Sequence, residues 1–132
     1  MSITHEETKQ MVDWFKPYFI LDEDGKPKHE PDSMKWAAWF EKSTFEGTRI
    51  VSQNDVEDGV RVSTVFLGLS HNFMDRDGSD PILYETMIFG GHHDMYQKRY
   101  RTRAQAMVGH AQAVALAAGV ITEEEIEDMN DD

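Results

Sequence analysis

The stretch from Arg61 to Arg103 constrains the fold more than any other part of the chain. It holds two apolar runs, Val62–Leu69 and Ile82–Phe89, separated by a polar loop from Ser70 to Pro81. Gly90-Gly91, a third alternating segment and a helix opening at Thr102 follow. Runs of this length, rich in β-branched and aromatic residues and bounded by turn residues, predict strands. Val60, Val62, Thr64 and Phe66 alternate onto one face, and Ser63, Val65 and Leu67 onto the other. Both faces carry apolar groups, which predicts a central strand covered on each side.

The helix has its own punctuation. Thr102 and Gln105 have capping-box spacing, and Gly119 ends the run. Ala104, Met107, Val108, Ala111, Val114, Ala115 and Ala118 form the expected apolar stripe, its small residues implying close approach to the sheet.

Upstream, Thr4–Lys16 reads as a first helix, with capping-box spacing at Thr4 and Glu7 and a stop at Pro17. Tyr18–Leu21 reads as a short extended run. Asp22-Glu23-Asp24-Gly25 has turn chemistry, so that Lys26 opens a return strand, and the mostly polar stretch to Ser33 reads as surface loop. Met34–Lys42 fits either period: Trp36, Trp39 and Phe40 suit a helix, Trp36, Ala38 and Phe40 a strand. The strand is favoured, because two Trp and a Phe suit a pleated face. Thr48–Gln53 reads as a strand, and Asp58-Gly59 as the turn before the next.

These elements predict an α+β domain: an antiparallel sheet of about four to six strands, packed by the Ala-rich C-terminal helix, with an N-terminal helix. A chain of 132 residues suffices for one core, supplied here largely by three Trp, seven Phe and four Tyr. One domain is expected over residues 1–122, followed by an acidic tail over 123–132. That tail holds seven acids and no base. Thr122 and Glu125 suggest a short helix there, with only Ile126 and Met129 to anchor it, so the tail reads as dispensable for folding.

The formal charge is −12, from 25 acids and 13 bases; without the last ten residues, 18 acids face 13 bases, or −5. Direct nucleic-acid binding is disfavoured by that balance. The absence of Cys excludes disulfides and Cys-ligated metals. No apolar run is long enough for a membrane span and the N-terminus is polar, so a cytoplasmic protein without membrane attachment is expected.

Lys98, Arg99, Arg101 and Arg103 put four of the 13 bases into six residues, where a strand ends and a helix begins. A helix N-terminus favours anions, so Arg99, Arg101, Thr102 and Arg103 form the candidate ligand-binding site for an anion or an acidic partner surface. An internal ion-pair network is the structural alternative. Strand alternation would put Arg99 and Arg101 on one face, and Lys98 and Tyr100 on the other.

His71, Glu85 and His110 form a second candidate polar site. Glu85 alternates with Leu83, Met87 and Phe89, so a buried Glu85 calls for a cation, with Arg61, Arg99 and Arg101 as candidates. No His spacing matches a zinc motif, and the Asp75–Asp80 run departs from an EF-hand, lacking its sixth-position Gly and twelfth-position Glu. No catalytic residue, metal or cofactor is therefore assigned. A metal-assisted hydrolase using His71, His93, Asp94, His110 or Glu85 is the rival reading, and an acidic nucleic-acid mimic the second.

The succession Val62–Phe73, then Glu85-Thr86-Met87-Ile88-Phe89-Gly90-Gly91, then Arg99-Tyr100-Arg101-Thr102 with Ala106 and Gly109-His110 resembles a group of small phage and prophage proteins. Trp36–Glu41 is similar to their N-terminal portion. That group usually carries Asp where this chain has Ser70. The resemblance implies a phage setting and host cytoplasm rather than a particular chemistry. The expected function is a small, non-enzymatic accessory protein that binds a host or phage protein, or sequesters a phosphate- or nucleotide-like anion.

Overall fold

The computed structural model describes residues 17–131; the helix expected over Thr4–Lys16 lies outside them. Among the described residues there are three helices and two antiparallel sheets, an α+β fold. No described helix is long and apolar enough to cross a membrane. The chain divides into two compact units. One comprises the described residues up to Gly47 together with Leu67–Leu83, and the other Thr48–Phe66 together with Tyr84 onward.

In the first unit, β1 (Phe19–Leu21) and β2 (Pro27–His29) form a hairpin across the Asp22–Gly25 turn, whose Asp22 Oδ1 accepts from the Asp24 and Lys26 N–H groups, both at 2.9 Å. Helix α1 (Ser33–Glu46) follows, and it corrects the strand expected over Met34–Lys42. Local capping decides the outcome. Asp32 accepts from the Met34 and Lys35 N–H groups, and Gly47 closes the helix in the left-handed conformation. Helical spacing then brings Trp36 and Phe40 together, with ring centroids 4.9 Å apart, and Tyr18 packs on Trp36 at 4.8 Å. The Trp36 indole N–H donates to the carbonyls of Phe19 (3.1 Å) and Gly68 (2.8 Å), so it pins α1 to β1.

The second unit is a four-stranded sheet in the order β3 (Ile50–Glu57), β4 (Val60–Phe66), β5 (Tyr84–Phe89), β6 (Gln97–Tyr100). The expected Asp58-Gly59 turn joins β3 to β4. Gly90 turns the chain after β5 with φ 86°, and a Cβ there would overlap the Gly59 carbonyl, so only glycine fits. Helix α2 (Arg103–Ala117) crosses all four strands, and α3 (Glu123–Asn130) follows it.

Antiparallel register sorts the side chains into rows. On the face beneath α2, Ser52, Thr64, Thr86 and Lys98 make one row, and Phe66, Tyr84 and Tyr100 the next. On the opposite face lie Val65, Glu85 and Arg99, then Ser63, Met87 and Gln97. Val62, Ile88, Ala113, Leu116 and Ile126 form the core between sheet and helices. Each large aliphatic side chain buried there contributes about 1.5–3 kcal/mol. The central placement of β4 is as expected. Its second face, however, is only half-buried at Ser63 and Val65.

Two further expectations are corrected. The buried face of α2 is Ala106, Gly109, His110, Ala113 and Leu116, whereas Met107 and Val108 of the expected stripe are 38% and 57% exposed. A helix with Ala on every side has weak hydrophobic periodicity, so the partner surface selects the face. The terminal acidic segment, read as dispensable, packs instead: Ile126 is 1% exposed within the core. Thr122 caps α3, and Glu123, Glu124 and Glu125 occupy its first turn, where carboxylates complement the helix dipole. The acidic run is therefore compatible with an ordered helix.

Candidate functional site

Four polar side chains meet beneath α2. His110 Nε2 lies 2.7 Å from Asn54 Oδ1, and His110 Nδ1 lies 2.7 Å from Thr64 Oγ1. Thr64 Oγ1 lies in turn 2.6 Å from Thr86 Oγ1. An amide oxygen only accepts, so His110 carries its proton on Nε2 and donates to Asn54. Nδ1 then accepts from Thr64, and Thr86 donates to Thr64. Each bond in the chain has one donor and one acceptor with a neutral imidazole. Burial also holds the His110 pKa below its ordinary value. The network satisfies polar groups that would otherwise destabilise the core.

Within the second unit, Glu85 and His110 of the expected polar site lie on opposite faces of the sheet. His71 lies in the first unit, where its ring packs against Phe73 with centroids 5.8 Å apart. Glu85 is paired with Arg99, one of its three candidate cations, whose Nε donates at 2.9 Å; Gln97 also donates to it at 2.7 Å. His93 stands 3.6 Å from Glu123, and Asp94 accepts from the Gly90 N–H. Among the described residues no group of three or more His, Asp or Glu side chains is placed to hold a metal. Ser70, where the resembling group has Asp, is buried and accepts from the Asn72 and Ile82 N–H groups, which fixes the course of the loop.

The basic cluster divides. Arg99 faces away from α2 and is engaged by Glu85. Arg101, expected on the Arg99 side, instead lines the same cavity as Lys98 and Tyr100, because β6 ends at Tyr100 and the chain bends at Arg101-Thr102. Thr102 is taken up by the capping box: its hydroxyl accepts from the Gln105 N–H at 3.1 Å, and Gln105 Oε1 accepts from the N–H groups of Arg101 and Thr102. Arg103 is exposed on the first turn of α2, close enough to oppose the rise that burial imposes on the Tyr84 pKa.

The cavity, about 550 Å³, lies along one stripe of α2, Gln105, Val108, Gly109 and Gln112, and reaches Asn130 of α3. Its floor depends on Gly109. A Cβ at that position would overlap the Tyr100 hydroxyl, so glycine in mid-helix permits the ring to lie against α2. The Tyr100 hydroxyl is buried without a hydrogen-bond partner, and burial pushes its pKa well up. Lys98 is half-buried, and no described carboxylate pairs with it.

Sequence reading missed Asn54, Thr64, Thr86, Gln112 and Asn130. Threonines at apolar-face positions of two strong strands were the available signal for the first network; no local pattern marks Gln112 or Asn130. The chain matches no protein-family model, no curated protein and no solved structure.

Proposed function

We propose that the protein is a non-enzymatic accessory protein, of the phage-borne kind its motifs resemble, that acts by holding an anionic ligand in the cavity along β6 and α2. Lys98 carries this reading. In a chain of formal charge −12, the half-buried Lys98 side chain, without a described carboxylate partner, lines a cavity of about 550 Å³. A cation with no described acidic partner in an otherwise acidic chain is free to pair with a bound anion. Arg101 also lines the cavity. Gln105 contributes a donor as well, because its oxygen is engaged by the cap and its amide N–H groups remain.

The test is an amide-resolved NMR titration of the full chain with sodium phosphate, acetate and adenosine monophosphate at constant ionic strength. Saturable shifts at Lys98, Arg101, Gln105 and Gln112, lost in Lys98→Met, are expected with at least one anion. If none of the three produces saturable shifts at these amides, the reading fails.

A further inference from the structure

We infer that the ligand is a small phosphate monoester with a neutral, hydroxyl-bearing body, rather than a free inorganic anion; this rests on the anion-binding reading above. The cavity is within the 300–1,000 Å³ range that accommodates small organic ligands, and exceeds what one oxyanion fills. No described carboxylate lines it, so nothing in the described lining repels a phosphate. Lys98 supplies a positive charge for the phosphate head, and Arg101 lies in the same lining.

The rest of the lining recognises a different chemistry. Gln112 Nε2 donates to Asn130 Oδ1 at 3.0 Å, and Asn130 Nδ2 donates to Gln112 Oε1 at 3.3 Å. This reciprocal pair joins α2 to α3 and fixes both amides edge to edge. Each amide retains a second N–H and a second oxygen lone pair. A surface offering donors and acceptors together suits hydroxyl groups, which also do both. Gln112 lies seven residues beyond Gln105 on the same helix stripe, about 10 Å along the axis. A ligand contacting both therefore needs a body as well as a charged head.

The experiment is calorimetry on the full chain with inorganic phosphate, ribose and ribose 5-phosphate, for the parent, Lys98→Met, Gln112→Leu and Asn130→Ala proteins. Ribose 5-phosphate should bind at least about tenfold tighter than phosphate, and ribose alone should not bind. Lys98→Met should weaken both anions. Gln112→Leu should bring ribose 5-phosphate down to the phosphate level and leave phosphate itself unchanged. Asn130→Ala, at an exposed position, should do the same, and serves if Gln112→Leu fails to fold. Equal affinity for phosphate and ribose 5-phosphate in the parent would overturn the ester proposal while leaving anion binding intact. No binding of either phosphate compound would overturn the proposal, whereas anion binding itself stands or falls on the NMR titration.

Discussion

Replacing Ile126 by Ala tests whether the acidic C-terminal segment belongs to the fold. Ile126 is 1% exposed and packs with Val62, Ile88, Ala113 and Leu116. Truncating such a side chain removes its transfer free energy and leaves a cavity, at a cost of about 2–5 kcal/mol. At about 4 °C per kcal/mol for a chain of this size, the melting temperature should fall by roughly 8–20 °C. Met129 lies in the same helix but is 54% exposed, so Met129→Ala should change stability by less than about 0.5 kcal/mol. Urea and thermal unfolding followed by far-ultraviolet circular dichroism would measure both. Ending the chain at Ile121 should cost at least as much as Ile126→Ala, since it also removes the Gln112–Asn130 pair. If Ile126→Ala is as mild as Met129→Ala, the segment does not pack, and the assignment of α3 to the core is wrong.

Three further outcomes follow from the same geometry. The lowered His110 pKa means that the unfolded chain takes up a proton first as pH falls; the stabilisation is complete above about pH 6.5 and is lost below it, with a slope of up to about 1.4 kcal/mol per pH unit, so a His110→Gln protein should lack that slope in urea titrations between pH 6.5 and 5. Tyr100→Phe removes a buried, unpartnered hydroxyl and should raise stability by about 1 kcal/mol in the ligand-free protein, whereas a loss of that size would mean the hydroxyl is satisfied. Gly109→Ala improves helix propensity yet places a methyl on the Tyr100 ring, so denaturation should show a net loss of about 1–3 kcal/mol; a gain would refute the close contact.

Features set by near neighbours in the chain were legible in advance. The Asp58-Gly59 turn, the strand alternation around Val62 and Thr64, and the Thr102–Gln105 capping box each depend on a few consecutive residues. The pairing of Glu85 with Arg99 was also among the expected outcomes, because a carboxylate in a strong strand restricts its partners. Met34–Lys42 was misread although its signal was local: Asp32 and Gly47 cap the segment, and caps discriminate helix from strand where aromatic spacing does not.

The sequence by itself determined the α+β class, the succession of β3 to β6 along the chain and the position where α2 begins. Tertiary structure alone decided which face of α2 is buried, that Ile126 holds the acidic segment in the core, and that Arg101 joins Lys98 while Arg99 turns to Glu85. Capping, turns and alternation are settled by interactions over a few residues, which the order of the chain fixes directly. The face of an Ala-rich helix and the composition of a cavity depend on residues brought together from distant positions, as Thr64 meets His110 across 46 residues. Their energies exist only once the sheet has formed, so no local pattern records them.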